Sequence, residues 1–216
     1  MSIKIAIFDW DGTVVDSVDH ITTSLHQAAA ELGFPTLEKT AYRNIIGLGM
    51  IDALKRLYPE VEDPDIEAIR QAYSRYFFAR EATPQQIFAG MTELIEGLRT
   101  RGVGRAVATG KSRRGLDAAL QSSGLHGHFD VTRCADETRS KPDPRMLEEI
   151  LAHYGINARD AVMIGDTTYD LEMAERIGMP SIGVRWGVHE DDALLQHGPL
   201  TLVSSVAELQ RVLSAL

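Results

Sequence analysis

Short runs of apolar, largely β-branched side chains recur along the chain with few polar interruptions. They cover residues 3–8, 106–108, 161–164 and 181–184. Nearly continuous apolarity over so few residues is typical of a strand that is covered on both faces. The pattern therefore predicts the buried strands of one sheet.

The segments between the later runs carry the periodicity and the end signals of helices. Ser112 is placed to cap a helix that Gly124 ends, and Asp143-Pro144 begins another that Gly155 ends. We expect the buried stripe of the second helix to contain Leu147, Ile150, Leu151 and Tyr154. Strands that alternate with helices predict an α/β fold, in which right-handed crossovers connect the strands of a parallel sheet.

Residues 17–83 show no strand pattern and are predicted to form an all-helical insert. Ser17 is placed to cap the first helix, and Asp63-Pro64 opens a later one. The expected buried side chains are Ile21, Leu25, Ala28 and Leu32 in the first helix, and Ile66, Ile69, Tyr73 and Tyr76 in the later one. The predicted organisation is a core domain of residues 1–16 and 84–216, interrupted by a helical domain of residues 17–83.

Composition and charge narrow the class of protein only slightly. The 216 residues are 44% hydrophobic and 25% charged, which is ordinary for a globular protein. The net charge of −9 is spread along the chain, which argues against nucleic acid or an anionic membrane as a partner. A single cysteine, Cys134, excludes an internal disulfide, and the apolar run at residues 3–8 is too short for a signal peptide. We expect a cytoplasmic monomer or homodimer.

The residues that can carry chemistry concentrate in four loop segments. These are Asp9-Trp10-Asp11-Gly12-Thr13, Thr109-Gly110-Lys111-Ser112, Ser140-Lys141-Pro142 and Gly165-Asp166-Thr167-Thr168-Tyr169-Asp170. Parallel α/β sheets bind ligands beyond the carboxyl ends of their strands, so we expect these segments to meet there. Four carboxylates near one lysine repel one another and favour a bound cation. Because the ligands are all oxygens, magnesium is favoured over zinc.

The same segments carry a resemblance that covers essentially the whole chain. The stretch DWDGTVVDS, Thr109 after its strand, the pair Lys141-Pro142 and the stretch GDTTYD resemble the four motifs of the haloacid dehalogenase superfamily. Among its subgroups the chain is most similar to the phosphoglycolate phosphatases of subfamily IA. The resemblance implies a Rossmann-like parallel sheet core with an inserted C1-type helical cap domain. It also implies a small phosphorylated metabolite as substrate.

The resemblance assigns a role to each matching residue. Asp9 resembles the nucleophile that attacks phosphorus, and Asp11 resembles the acid/base that protonates the leaving oxygen and then activates water. Thr109 and Gly110 are expected to bind the phosphoryl oxygens, with help from the N-terminus of the following helix. Lys141 is expected to balance the charge of Asp9 and of the transferred group.

The resemblance also implies a magnesium site. Asp9, the backbone carbonyl of Asp11, and Asp166 are expected to hold Mg²⁺, while Asp170 supports them directly or through water. Dehalogenating members of the superfamily lack the second acid of the first motif. The presence of Asp11 therefore favours phosphoryl transfer over carbon–halogen hydrolysis.

Substrate choice is expected to come from the helical insert, which would close over the leaving group. Residues 46–50 form a glycine-bearing loop that resembles the specificity loop of the family, and Arg43 lies close to it in sequence. We expect Gly47 and Arg43 to contact substrate. The alternative is an ordinary turn between helices beside a solvated basic face.

Other functions fit the same motifs. An inorganic pyrophosphatase or a phosphosugar mutase could use the same fold, and a mutase would need a basic proton shuttle such as His20. A receiver-like signalling module needs neither the helical insert nor Asp11. The intact set of Asp9, Asp11, Lys141 and Asp166 argues against a silent phosphate-binding protein. A phosphoric monoester hydrolase accounts for all four motifs together.

Overall fold

The computed structural model describes residues 3–79 and 86–216. Its strands are β1 (Ile5–Phe8), β2 (Val15–Asp16), β3 (Gln86–Ile87), β4 (Gly104–Thr109), β5 (Val131–Cys134), β6 (Ala161–Gly165), β7 (Ser181–Val184) and β8 (Thr201–Val203). Its α-helices are α1 (Val18–Glu31), α2 (Lys39–Arg43), α3 (Met50–Leu57), α4 (Asp63–Ala79), α5 (Met91–Thr100), α6 (Arg113–Ser122), α7 (Arg145–Tyr154), α8 (Thr168–Glu175), α9 (Asp191–Leu195) and α10 (Val206–Ala215). A single 3-10 turn spans Ala158–Asp160 within the described chain.

Six of the strands form one parallel sheet in the order β5-β4-β1-β6-β7-β8. Strand β1 lies in the interior, where Phe8 is in register with Val107 on one side and Ile164 on the other. Ala6 and Phe8 belong to the hydrophobic cluster on one face of the sheet, while Ile5 and Ile7 belong to the cluster on the other. The prediction of an α/β fold with a doubly covered parallel sheet is confirmed.

The four apolar runs are strands, although β1 begins at Ile5 and not at Ile3. The sequence pattern did not reveal β5 and β8. Thr132 and Arg133 interrupt the apolarity of β5, and β8 is a three-residue edge strand. Both strands depend on pairing with a neighbour more than on a local signal of their own.

The helix ends follow the predicted signals with one shift. Ser112 caps α6, because its Oγ accepts a hydrogen bond from the backbone N–H of Gly115 at 3.2 Å. Pro144 is the N-cap of α7 and does not lie in the first turn. The stripe of α7 is also displaced, since its fully buried members are Met146, Leu147 and Ile150, while Leu151 and Tyr154 are only partly buried.

Helices α1 to α4 form the helical insert, and their buried side chains form a hydrophobic cluster that also includes Val188. Residues 17–79 contain helices and turns but no strand, as predicted. Leu32 is 38% exposed and does not belong to the buried stripe of α1. In α4, Phe77 is buried at 2% exposure, whereas Tyr76 is only partly buried. Near its end, α4 therefore buries Phe77 instead of the predicted Tyr76.

Strands β2 and β3 pair antiparallel where the chain passes between the sheet and the helical insert. Val15 is in register with Ile87, and Asp16 with Gln86. The two connections of the insert therefore lie side by side. The predicted domain boundary between residues 83 and 84 lies outside the described residues, and the division into two domains stays a prediction. No helix in the described ranges is both long enough and apolar enough to cross a membrane.

Candidate active site

The parallel register brings the polar ends of three strands to one edge of the sheet. Asp9 follows β1, Thr109 ends β4, and Asp166 follows β6, which are neighbouring strands. Lys141 and Asp170 enter the same place from a loop and from α8. Each of these five side chains is at most 1% exposed. Burying so many polar groups costs free energy unless they pair with one another or with a ligand.

Lys141 links two of the carboxylates. Its Nζ donates hydrogen bonds to Oδ1 of Asp9 at 2.5 Å and to Oδ1 of Asp170 at 2.6 Å. Burial lowers the pKa of Lys141, but the two carboxylates outweigh it and hold the pKa above its ordinary value. The ammonium group is therefore a fixed positive charge in the site.

The carboxylates of Asp9, Asp166 and Asp170 each offer an oxygen within 4.8 Å of the others. Burial, with the nearby charges of Asp170 and Asp166, raises the pKa of Asp9 well above its ordinary value despite the presence of Lys141. Burial and the charge of Asp170 raise the pKa of Asp166 to about 7. The cluster thus holds more negative charge than one lysine neutralises, which is the electrostatic condition for a cation site.

The oxygens of this cluster differ in their partners. Within the described residues, Oδ2 of Asp9 is buried and has no hydrogen-bond partner. Asp166 is oriented by the hydroxyl of Thr13 and the backbone N–H of Val188, each at 2.8 Å. Gly12 has φ +84°, and a Cβ atom there would collide with the Asp166 carboxylate. The backbone after Asp11 can approach the cluster only because this position is glycine.

Asp170 has protein donors on both carboxylate oxygens. Its Oδ1 accepts from Lys141, while its Oδ2 accepts from the hydroxyl of Thr167 at 2.7 Å and from the backbone N–H of Thr167 at 3.2 Å. The bond from the Thr167 backbone N–H is one half of a capping box at the start of α8, whose other half is the Asp170 backbone N–H donating to the Thr167 side chain. These contacts suit Asp170 to positioning Lys141 more than to direct metal ligation.

Asp11 has different surroundings from Asp9. Asp11 is 6% exposed, and its Oδ1 accepts from the Ser17 hydroxyl at 2.5 Å and lies 3.0 Å from Nζ of Lys111. Ser17 is the N-cap residue of α1, as predicted, but its side chain makes no capping hydrogen bond because the hydroxyl donates to Asp11. Ser17 and Lys111 were missed as site residues, although both lie inside the motif segments.

Residues 46–50 of the helical insert pack directly on the loops that carry the site. The backbone N–H of Gly49 donates to Oγ of Ser140 at 2.8 Å. Gly47 has φ +102°, and a Cβ atom there would lie 3.1 Å from Oγ1 of Thr167. A Cβ atom at Gly110 would lie 2.5 Å from the carbonyl oxygen of Gly47. The structure thus brings Gly47 and Gly110 together at the site.

Beside Asp11 lies a cavity of about 380 Å³, which we call the Asp11 cavity. Its walls come from the helical insert, including residues 46–50, and from residues 110–112 of the loop after β4. Arg43 does not line it. Its Nη2 donates to the carbonyl oxygen of Gly187 at 3.1 Å, and it borders a separate cavity next to His189. The structure therefore does not bring Arg43 together with the aspartates.

The surroundings of His20, the basic residue that a mutase would need, and of Cys134, the single thiol, suit packing. His20 stacks on the ring of Phe77 with centroids 4.3 Å apart, and its Nε2 lies 3.1 Å from the carbonyl oxygen of Phe77. Burial raises the pKa of Cys134 to about 12, so its thiol stays protonated. Both observations favour packing roles over proton transfer or nucleophilic catalysis.

Comparison with known proteins identifies a matching family and several relatives of this chain. A family model described as haloacid dehalogenase-like hydrolase matches residues 6–184. A protein named probable phosphatase IndB, from Dickeya dadantii (strain 3937), is 34% identical over 210 residues, which cover 95% of this chain and 91% of the relative. A phosphoglycolate phosphatase from Agrobacterium fabrum (strain C58) is 26% identical over 210 residues, with 95% and 90% covered. The crystal structure of a hydrolase from Pseudomonas syringae has 22% sequence identity and a TM-score of 0.90, with 99% of each chain covered.

The parallel sheet and the aspartate cluster at its edge define a Rossmann-like α/β protein. The chain belongs to the haloacid dehalogenase-like hydrolase family, because the family model covers most of its length. This confirms the resemblance that the motif segments carry.

Proposed function

We propose that this protein is a magnesium-dependent phosphatase, which hydrolyses a small phosphomonoester through a phospho-aspartate on Asp9. The observation that carries the proposal is the contrast between the two acids of the first motif. Oδ2 of Asp9 is buried without a hydrogen-bond partner in the described chain, whereas Asp11 borders a cavity and is held by two donors. One carboxylate is suited to attack, and the other to exchange protons with a ligand. The phosphatase names of the relatives support the same reaction class.

In the first step, Oδ2 of Asp9 attacks phosphorus while the bond from phosphorus to the leaving oxygen breaks. Asp11 gives its proton to that oxygen, so the leaving group departs as a neutral alcohol. Lys141 donates to Oδ1 of Asp9, which fixes the carboxylate with Oδ2 turned away from the lysine.

In the second step, a water molecule attacks the phosphorus of the phospho-aspartate, and ionised Asp11 takes one proton from it. The bond from phosphorus to Oδ2 of Asp9 breaks. Inorganic phosphate leaves, Asp9 is a carboxylate again, and Asp11 is protonated for the next turnover. The two steps together consume one water molecule and use no redox chemistry.

Thr109 would bind the phosphoryl group. It is fully buried, and its Oγ1 accepts a hydrogen bond from the backbone N–H of Lys111 at 3.2 Å, which leaves the hydroxyl hydrogen for a ligand oxygen. Helix α6 begins at Arg113 directly after this loop. The partial positive charge at a helix N-terminus favours a bound anion.

The residues present fit a hard cation such as Mg²⁺. They are all oxygen donors, and one oxygen each from Asp9, Asp166 and Asp170 lies within 4.8 Å of the others. Asp9 and Asp166 would hold the ion together with the backbone carbonyl of Asp11, while Asp170 positions Lys141. The ion would neutralise charge on the transferring phosphoryl group.

Two enzyme alternatives stay open within the same fold. An inorganic pyrophosphatase would cleave pyrophosphate, and a phosphosugar mutase would return the phosphoryl group to the sugar. A receiver-like or silent phosphate-binding module would release no phosphate at all.

Phosphate release should depend on the divalent cation. We expect turnover of phosphomonoesters with Mg²⁺, loss of turnover in excess EDTA, and recovery when Mg²⁺ is restored. The measurement is inorganic phosphate released from phosphoglycolate, several sugar phosphates, simple alkyl phosphates and pyrophosphate. Full activity in EDTA would contradict the metal dependence. Release from pyrophosphate alone would identify a pyrophosphatase instead.

Asp11→Asn should slow hydrolysis of alkyl phosphates by about 10²–10⁴-fold, because the leaving oxygen then has no proton donor. With 4-nitrophenyl phosphate, whose leaving group departs without a proton, the variant should still form the phospho-aspartate and accumulate it. Rapid acid quench would detect a burst of nitrophenolate and phosphorylated protein. Asp19→Asn, at an exposed position in α1, serves as the control. Unchanged turnover of alkyl phosphates would contradict the assigned role.

A further inference from the structure

The size of the Asp11 cavity bears on the substrate of the proposed reaction. Its volume of about 380 Å³ lies in the range of about 300–1,000 Å³ that accommodates drug-sized ligands. Asp11 borders it, so the cavity lies on the side to which the leaving group would depart. A glycolate group would leave most of this space unfilled. Size alone therefore favours a bulkier leaving group.

The walls of the Asp11 cavity are mainly apolar. Ile21, Ile46 and Met50 line it together with the neighbouring rings of Phe77 and Phe78. Ile21, Ile46 and Phe77 also belong to the buried cluster of the helical insert, so these walls are held in place by packing. A rigid apolar wall binds apolar surface at a gain of about 25 cal/mol per Å² buried. It offers nothing to a small, highly polar group.

Lys111, the first of the two cations that line the Asp11 cavity, is already paired. Nζ of Lys111 lies 3.0 Å from Oδ1 of Asp11 and 4.6 Å from the ring centroid of Phe77, and its side chain is only 7% exposed. A substrate carboxylate that bound Lys111 would also lie beside Asp11. Asp11 becomes ionised as it gives its proton to the leaving oxygen, and a carboxylate beside it then meets a like charge, so a carboxylate is disfavoured there during the reaction. A neutral acceptor, such as a hydroxyl or carbonyl oxygen, meets no such repulsion.

The second cation of the cavity is also paired. Nε and Nη2 of Arg70 donate to the two carboxylate oxygens of Glu67 at 2.7 and 2.6 Å. These bonds, with one from Gln71, lower the pKa of Glu67 to about 2, so the acid stays ionised at neutral pH. Once Asp11 has given up its proton, the described lining residues carry three carboxylates against two cations, since Asp136 adds an acid. The cavity is therefore not a carboxylate site.

We propose that the leaving group of the substrate is uncharged and largely apolar, with a ring or a similarly flat surface that packs against the Phe77–Phe78 side of the Asp11 cavity. This inference rests on the proposed phosphatase function and narrows it. It separates this protein from an enzyme built for phosphoglycolate, whose leaving group carries a carboxylate.

Two matched pairs of esters test the inference. Benzyl phosphate and 4-carboxybenzyl phosphate differ by one carboxylate on a ring, while ethyl phosphate and phosphoglycolate differ by a carboxylate in place of a methyl group. With Mg²⁺ present, we expect kcat/KM for benzyl phosphate to exceed that for ethyl phosphate by about tenfold or more. In each pair, the carboxylated ester should be slower by about tenfold or more.

A charge variant tests the pairing of Arg70. Glu67→Gln removes the partner acid, so the ratio of kcat/KM for 4-carboxybenzyl phosphate to that for benzyl phosphate should rise about threefold or more. Glu31→Gln is the matched control, because Glu31 accepts from Arg75 at 2.5 Å in the same helical insert but does not line the cavity. Its ratio should equal that of the unmodified protein.

Removal of one aromatic ring tests the role of the apolar wall of the Asp11 cavity. Phe78→Ala should lower the ratio of kcat/KM for benzyl phosphate to that for ethyl phosphate by about threefold or more. Each readout is a ratio within one protein, so a loss of folded material cancels. Faster turnover of phosphoglycolate than of ethyl phosphate would overturn the inference and leave the phosphatase function intact. The inference would also be overturned if Glu67→Gln and Glu31→Gln had the same ratio of kcat/KM for 4-carboxybenzyl phosphate to that for benzyl phosphate. Failure of all four esters with Mg²⁺ would overturn the proposed function and the inference together.

Discussion

Asp9→Asn is expected to lower kcat by at least about 10⁴-fold, because an amide cannot attack phosphorus and no covalent intermediate then forms. The fold should survive. The amide oxygen can still accept from Lys141, and the change removes one of three mutually repelling carboxylates. We therefore expect the thermal midpoint without Mg²⁺ to stay the same or to rise.

The measurements for Asp9→Asn are phosphate release, acid-quenched phosphoenzyme and thermal unfolding followed by circular dichroism. Asp16→Asn provides the same chemical change at an exposed position of the same segment and should behave as the unmodified protein. Wild-type turnover by Asp9→Asn would show that the covalent mechanism is wrong. A collapse of the fold would show that Asp9 stabilises the core, which its raised pKa argues against.

Lys141→Met is expected to destabilise the protein by about 3–5 kcal/mol, because it leaves Asp9 and Asp170 buried without their cation. Methionine has a similar length and tolerates irregular apolar space, so the loss of charge dominates over the loss of packing. Activity should fall by at least about 10²-fold, since the phosphoryl group loses a fixed positive charge nearby. Chemical denaturation and phosphate release measure the two effects.

Mg²⁺ should restore part of the stability of Lys141→Met, because a cation in the carboxylate cluster replaces some of the missing charge. Lys4→Met is the matched control. Lys4 pairs with Asp160 at 3.1 Å, but their side chains are 60% and 30% exposed, so we expect a loss below about 1 kcal/mol. Equal stabilities of Lys141→Met and Lys4→Met would contradict a buried, charge-compensating role for Lys141.

The fold was predictable where the local signal is strong. Continuous apolar runs identified β1, β4, β6 and β7, because a strand buried on both faces has no polar alternation to obscure it. The segments that follow these strands identified the aspartates, because parallel strands deliver their carboxyl ends to one edge. Strand β5 was not predicted because Thr132 and Arg133 interrupt its apolar pattern. Its position depends on pairing with β4.

The parts that sequence could not give depend on contacts between distant segments. Ser17 has the spacing of a helix cap, yet its hydroxyl bonds Asp11, and only the tertiary fold decides between two such acceptors. Arg43 comes shortly before the loop of residues 46–50 in sequence, but its side chain donates to the carbonyl oxygen of Gly187 and not to the site. The pairing of Lys111 with Asp11 likewise appears only once the loops after β1 and β4 meet.

Several residues that line the Asp11 cavity also pack in the hydrophobic cluster of the helical insert, which limits how the substrate range can change. Ile21, Ile46 and Phe77 form the Asp11 cavity and also the hydrophobic cluster of the helical insert, so enlarging the cavity at these positions removes core packing. Ile51 is 39% exposed and borders the same cavity, and its replacement costs far less stability. Substitutions at exposed rim positions such as Ile51 should therefore change specificity with the smallest loss of stability. Variation of substrate range among related sequences should concentrate at such positions.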